Sequence, residues 1–184
     1  MEAHWNGLIY PIIKVANFDS VLELAAGHGR NSEYLLKISN RLTLVDVNVE
    51  NIAYCRSRFA GRDERISFIV NSGATLDAVP DASVTLVYCY DSMVHFHSDV
   101  VRSYLREFKR ILRPGGRAFL HHSNSNANPG GLDIGKHVQG RNFMTKDIFI
   151  HYSVLEGFEI ISSKLLDWGG AKDLDCITYL QSAS

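Results

Sequence analysis

The stretch Val21-Leu22-Glu23-Leu24-Ala25-Ala26-Gly27-His28-Gly29-Arg30 constrains this chain more than any other. An apolar run of strand character, carrying an acid, leads into a turn of small residues (Ala25, Ala26, Gly27, Gly29), and Asn31 to Ile38 then reads as a helix. Glycine in such a turn supplies a positive φ and leaves no Cβ in the way of an approaching group. The N–H groups at the start of the following helix face whatever carries negative charge or lone pairs. A strand, a glycine turn and a helix in that order admit a ligand at the turn, although the same residues also serve an ordinary tight connection.

The rest of the chain repeats the unit. Arg41 to Asp46 is a second apolar run ending in an acid, and Asn48 is placed to cap a helix from Val49 to Phe59. Asp46 lies 19 residues beyond Gly27, which puts a carboxylate at the C-terminal end of a neighbouring parallel strand, in reach of ribose hydroxyls. Without a ligand it reads as a helix-capping acid. Ile66 to Val70 is the third strand, and Asn71-Ser72-Gly73-Ala74 opens a loop to Ser83. Val84 to Tyr90 is continuously apolar, as expected of a strand covered on both faces, and runs into Asp91-Ser92-Met93-Val94-His95-Phe96-His97. Asp99 is placed to cap a helix from Val100 to Leu112 with Tyr104, Leu105, Phe108, Ile111 and Leu112 on its buried face. Arg113-Pro114-Gly115-Gly116 ends that helix and turns the chain into a fifth strand, Arg117 to His122.

Ser123 to Asn142 is polar and rich in Gly and Asn, too long for an idle connection, and segment 123–144 is expected to be a substrate-facing loop. Thr145 caps a helix to about Leu155, Gly157 ends it, and Phe158 to Leu166 and Leu174 to Gln181 are two strands around Gly169-Gly170. With no helix between them they must be antiparallel. Residues 1–19 form an N-terminal flap in which Trp5, Leu8, Ile9, Ile12, Ile13 and Val15 line one face of a broken helix near Pro11, with Trp5 or Tyr10 placed to cover a nucleoside. The expected fold is α/β: a doubly wound, mostly parallel seven-stranded sheet with a C-terminal antiparallel hairpin, one hairpin strand lying beside the fifth. Its 184 residues are expected to form a single domain.

Composition excludes several classes of function. A formal charge of −1 gives no electrostatic case for nucleic acid or an anionic membrane as partner. No apolar run approaches the roughly 20 residues of a membrane span, and the N-terminus, with Glu2, His4 and Asn6, does not resemble a signal peptide. Cys55, Cys89 and Cys176 are odd in number and widely spaced, neither a disulfide framework nor a zinc pattern. They read as reduced, buried thiols, and the expected location is the cytoplasm.

Two cofactor classes use such a glycine turn. The dinucleotide frame G-x-G-x-x-G fails here, because it leaves Ser32 or Arg30 at the third glycine. The frame Glu23-x-Ala25-x-Gly27-x-Gly29 instead resembles the first motif of the class I S-adenosylmethionine-dependent methyltransferases, with Ala25 in place of the first glycine. Asp46, the Arg113-Pro114-Gly115-Gly116 turn and the terminal hairpin extend the resemblance from about Val21 to Gln181. It implies S-adenosylmethionine as cofactor, with S-adenosylhomocysteine as product, and a Rossmann-like methyltransferase fold. It also implies that Glu23, Ala25, Gly27 and Gly29 border the methionine moiety and that Arg30 pairs with its carboxylate. Asp46 and Val47 would hold the ribose, Ser72, Gly73 and Ala74 would line the adenine, and Tyr90 would lie near the sulfonium. Where relatives carry an acid for the adenine amino group this chain has none, so Asn71, Ser72 or a backbone carbonyl is left to accept that hydrogen bond.

Methyl transfer from a sulfonium is an in-line displacement, so positioning supplies most of the rate, and a base helps when the acceptor is a hydroxyl. The candidate catalytic residues are His95, His122 and Asp91, with His121 beside them, all expected at strand ends facing the cleft. A metal site at His95-x-His97 matches no ligand spacing, and none is expected. The expected function is methylation of a small hydroxylated molecule on oxygen. The alternatives are an N-methyltransferase, a non-catalytic module that binds the donor for a partner, and, third, a nicotinamide enzyme.

Overall fold

The computed structural model describes residues 1–62, 64–127, 129–130 and 140–183. Seven strands form one sheet in the order β3-β2-β1-β4-β5-β7-β6: β1 (Val21–Leu24), β2 (Leu42–Asp46), β3 (Ile66–Val70), β4 (Val84–Cys89), β5 (Leu112–Ser123), β6 (Phe158–Trp168) and β7 (Ala171–Ser182). β1 to β5 are mutually parallel, and β7 runs antiparallel between β5 and β6. The chain reverses strand order between β1 and β4, where the two strands lie side by side and their connections leave in opposite directions. Ligands of open α/β sheets bind at that point, beyond the carboxyl ends.

Both faces are covered, for the reason the apolar runs predict. Side chains alternate across a strand, so Val87 and Cys89 of β4 enter one core and Leu86 and Tyr88 the other. On the first face the helices Ser98–Ile111 and Lys146–Leu155 bury Tyr104, Phe108 and Phe149. On the second lie the helix Val49–Arg58 and an N-terminal helix that passes from Glu2–His4 through a π-helical Trp5–Ile9 into Tyr10–Ile13. Pro11 sits in the first turn of the last piece and does not break the rod. Trp5 is buried, stacked on Tyr34 at 5.0 Å and on Tyr10 at 6.1 Å. The flap is therefore pinned to the sheet by Trp5, Ile9 and Ile13, and its indole packs on protein rings.

Local expectations need four corrections. The helix read over Asn31 to Ile38 is a single turn, Ser32–Leu35, because Ser39 and Asn40 turn the chain into β2. The helix expected from Val100 begins at Ser98, with His97 at the N-cap position and Asp99 inside the first turn. There Asp99 complements the helix dipole. β5 begins at Leu112, so Arg113-Pro114-Gly115-Gly116 belongs to an irregular strand start where the register against β4 shifts. Both hairpin strands run longer than expected, and Asp167 falls within β6. The three cysteines are free and buried, and burial pushes the Cys55 and Cys89 thiols up to about 11 and about 12.

Candidate functional site

The glycine turn is built from beneath. Ala25, Gly27 and Gly29 all have positive φ, at 56°, 54° and 76°. A residue with a Cβ is strained there by roughly 1–2 kcal/mol, so Ala25 carries a cost that a glycine would not. A Cβ on Gly29 would stand 2.8 Å from the Phe59 ring, whereas at Gly27 nothing lies within 4 Å. Gly29 is required by packing; Gly27 leaves open space. Glu23 is 1% exposed and accepts a 2.5 Å hydrogen bond from Ser32 Oγ, tying β1 to the helix turn that follows. Burial pushes its pKa up to about 8 against the Ser32 hydrogen bond, so near neutral pH Glu23 is largely protonated and supports the turn without charge.

Asp46 closes β2 and organises the next loop. Its Oδ2 accepts from the Gly27 N–H at 2.8 Å, and its Oδ1 accepts from the Asn48 N–H at 2.9 Å and from Asn51 Nδ2 at 3.1 Å. Among the described residues the carboxylate is thus held by neutral donors alone. Asn48 caps the helix Val49–Arg58 by accepting from the Glu50 N–H. Asp46 also borders a cavity of about 240 Å³ whose apolar lining is Leu24, Ala25, Val47, Phe96, Val100 and Tyr104. Asn71, Gly73, His95 and His97 complete its lining.

Asn71 stands at the end of β3. Its Nδ2 donates to Thr75 O at 2.9 Å and to Tyr104 Oη at 2.8 Å. Its Oδ1 is buried with no partner among the described residues. An unpaired buried acceptor is costly, and here it borders an apolar slot. Gly73 (φ 89°) is needed because a Cβ there would press to 3.3 Å from Val47 Cγ2. Ser72 and Ala74 are not part of this lining: Ser72 Oγ accepts from the Ala74 and Thr75 N–H groups, and Ala74 O accepts from Ser103 Oγ.

The remaining sequence candidates divide by strand face. His95 lines the cavity and its Nδ1 lies 2.6 Å from Gly140 O. Since a carbonyl can only accept, Nδ1 carries a proton, and in the neutral ring this leaves Nε2 as the acceptor. Asp91 follows β4 in a left-handed conformation (φ 60°), and its carboxylate meets Arg30 at 3.0 Å. Arg30, expected to bind the donor's carboxylate, spans the mouth from the first loop to the fourth. Tyr90 Oη lies 2.8 Å from His4 Nδ1.

Adjacent on β5, His121 and His122 point to opposite faces, and both are fully buried rather than turned to a cleft. His121 Nδ1 accepts the Asp91 N–H at 3.1 Å, so its Nε2–H donates to Asp175 at 3.0 Å. Arg141 grips the same carboxylate through Nε at 2.9 Å and Nη2 at 2.7 Å. Burial alone would raise the Asp175 pKa, but Arg141 and His121 outweigh it and hold the acid below its usual range. His122 packs flat on Phe149 at 3.6 Å, donates from Nδ1 to Ser123 O and accepts at Nε2 from Thr178 Oγ1. Burial drives its pKa down to about 3. With both ring nitrogens satisfied inside the core, His122 is a packing residue here, which corrects its expected place at the cleft.

Of the expected substrate-facing loop, 128 and 131–139 lie outside the described residues. Its ends are held inward: Asn142 N–H donates to Val94 O, Ser98 Oγ donates to Phe143 O, and Arg141 is buried. Sequence reasoning missed Arg141, Asp175, His4 and Trp168. Only Asp175 left a signal, as a lone acid in the apolar run Leu174 to Tyr179.

These residues fit an adenosyl donor. Asp46 offers carboxylate oxygens of the kind a ribose would need, the rest of the cavity is largely apolar, and Asn71 adds an amide oxygen without a partner among the described residues. When bound, such a donor supplies an activated methyl group on sulfonium.

Among relatives, the methyltransferase gedG of Aspergillus terreus is 33% identical over 99 residues, 54% of this chain and 30% of that protein. A demethylmenaquinone methyltransferase of Tropheryma whipplei is 24% identical over 119 residues, 63% of this chain and 46% of that protein. The chain thus matches less than half the length of either. The crystal structure of the [4+2]-cyclase SpnF superposes with a TM-score of 0.77 at 14% identity, over 98% of this chain and 80% of that one. A likeness so distant in sequence shows the fold alone. A family model described as a methyltransferase domain matches residues 21–116, just over half of the chain. The glycine turn, Asp46 and the closing hairpin agree with that match, and the chain belongs to the class I S-adenosylmethionine-dependent methyltransferase family.

Proposed function

We propose that this protein methylates a small hydroxylated molecule on oxygen, with the donor lying across Gly27, Asp46 and Asn71. The observation that carries the donor's placement is the buried Asn71 Oδ1, without a partner among the described residues, in the lining of an apolar slot that its neighbour Asp46 also borders. An adenine amino group would satisfy that oxygen, and Val47, Gly73 and Phe96 would hold the base. Ala25, Gly27, Gly29 and the supporting Glu23 would border the methionine part, Arg30 would exchange Asp91 for the donor's carboxylate, and Tyr90 would stand near the methyl. Ser72 and Ala74 would act by shaping the loop.

A small-molecule acceptor is supported by the curated relative whose name specifies demethylmenaquinone. It is supported also by the formal charge of −1, which gives no net electrostatic attraction for a nucleic acid.

For His95 the position among donor-pocket residues supports a contact with the nucleoside, while the acceptor state of Nε2 is that of a proton acceptor. His95→Ala separates the two. Loss of affinity for S-adenosylhomocysteine assigns the contact, and loss of turnover at unchanged affinity assigns the base. Asp91, paired with Arg30, is the second proton acceptor in reach of the donor turn.

The second reading is that the fold binds the donor without transferring its methyl, as the likeness to a structure named as a cyclase recommends keeping in view. Calorimetry with S-adenosylhomocysteine tests donor binding. Label transfer from S-adenosylmethionine to a panel of hydroxylated and amine compounds then tests transfer. Binding with no transfer to any of them would favour the module.

A further inference from the structure

A second cavity, of about 330 Å³, opens on the other face of the sheet between the N-terminal helix and the β6–β7 hairpin. His4, Leu8, Tyr90, Leu166, Asp167 and Trp168 line it, and of these only Tyr90 enters the donor reading. Tyr90 joins it to the donor turn, because the next residue, Asp91, pairs with Arg30. Three rings meet there nearly edge to face: His4–Tyr90 at 6.0 Å and 78°, Tyr90–Trp168 at 6.4 Å and 71°, His4–Trp168 at 5.8 Å and 61°. With two leucines they form an apolar corner that a flat ring fills, stacked on one side chain and edge-on to the others. The volume falls at the low end of small-ligand pockets.

We propose that this corner is the acceptor site, that it takes a phenolic ring, and that the Tyr90–His4 pair carries off the phenol's proton. The proposal rests on the donor reading above and adds the acceptor's class to it. Outside the Tyr90–His4 pair the lining offers one polar side chain, Asp167, so a saturated polyol would leave most of its hydroxyls facing rings and leucines, unpaired. A cationic amine would approach a Trp168 ring that already has the Arg141 guanidinium 5.4 Å from its centre.

In the step, the phenol oxygen forms a bond to the methyl carbon as the carbon–sulfur bond breaks, and that bond's electron pair stays on sulfur. The phenol's proton passes to Tyr90 Oη while the Tyr90 proton passes to His4 Nδ1. The imidazolium so formed is exposed and returns its proton to water. Burial raises the Tyr90 pKa above the ordinary phenol value, so Tyr90 serves as a bridge and not as a standing anion. An aromatic hydroxyl, with a pKa of about 10 like that of tyrosine, needs only such modest help.

The test uses 2-naphthol as probe, with methyl glucoside and benzylamine as the saturated and amine controls. Calorimetry on the donor-free protein is expected to show 2-naphthol binding and neither control. Trp168→Ala should weaken the probe about tenfold or more while S-adenosylhomocysteine affinity stays put. Leu8→Asp, on a half-exposed helix position, should do the same and serves if the Trp168 variant fails to fold. Tyr90→Phe and His4→Gln should leave both affinities within about threefold and cut methyl transfer to 2-naphthol roughly 10²-fold, in the usual range for proton transfer.

Equal binding of methyl glucoside or benzylamine, or 2-naphthol binding unaffected by both Trp168→Ala and Leu8→Asp, overturns the site. Undiminished transfer in both Tyr90→Phe and His4→Gln overturns the proton path. Failure of S-adenosylhomocysteine to bind at all would strike the donor reading instead, and the two failures are read in separate titrations.

Discussion

Two carboxylates at the same edge of the sheet, Asp46 and Asp175, are housed in opposite ways. Asp175 is fully enclosed and saturated: Arg141 grips both its oxygens and His121 donates to one of them. Asp46 is held by two backbone N–H groups and one amide, and borders open space beside an acceptor that has no partner among the described residues. The first corner has spent its hydrogen-bonding capacity on the fold. The second retains some. A charged group is therefore informative about binding less by its presence than by what remains unsatisfied around it.

The contrast breaks most severely at Asp175. Asp175→Asn leaves Arg141 buried without a counter-charge, and removing one partner of a buried pair typically costs about 3–5 kcal/mol. Urea unfolding should show that loss. A variant as stable as the parent would show that Arg141 finds water instead. Because His121 also accepts the Asp91 N–H, the same variant should loosen the strained Asp91 turn.

At the other corner, Asp46→Ala should weaken S-adenosylhomocysteine by about 1–3 kcal/mol, the cost of leaving buried polar partners unpaired. Calorimetry reads it, and unchanged affinity would make Asp46 a loop brace only.

A smaller effect concerns pH. Glu23 keeps its proton up to about pH 8 in the folded chain, against an ordinary value of 4.5. The unfolded chain ionises first, so stability falls as pH rises through that window. His122 works the other way. Its folded value of about 3 lies below the ordinary 6.5, so stability falls as pH drops from 6.5. The two slopes oppose each other between 4.5 and 6.5, and above 6.5 Glu23 acts alone. The parent should lose about 1–2 kcal/mol between pH 6.5 and 8, at up to ~1.4 kcal/mol per unit, and Glu23→Gln should lose little. Urea midpoints at the two pH values decide it.

The smallest effect belongs to Arg30. Its pair with Asp91 is largely exposed, so Arg30→Ala should cost under about 1 kcal/mol of stability. A larger loss would mean that the pair braces the mouth.

Much of this architecture was legible beforehand, and the reason is local. Apolar runs with acids at their ends, glycines where φ must be positive, and a Pro-Gly-Gly break all act through the backbone of a few neighbouring residues. The corner proposed for the donor draws on the same local signals, since Gly27, Asp46 and Gly73 are placed by backbone geometry and strand position. Of the groups left to stand in for the adenine acid, Asn71, Ser72 or a backbone carbonyl, Asn71 carries an oxygen without a partner among the described residues. His121 and His122 show where such reading stops. Period-two alternation says that they face opposite ways, but not that the hairpin and the helix Lys146–Leu155 cover both.

Sequence by itself determined the strand sequence, the turn chemistry and the family, since each is written in residues close together in the chain. Tertiary structure alone decided which polar groups are used up and which are left over. Arg141 reaches Asp175 across 34 residues and His4 reaches Tyr90 across 86, and no periodicity encodes a meeting at such separations. Those partnerships arise only when the sheet closes and side chains from distant strands compete for the same few donors and acceptors.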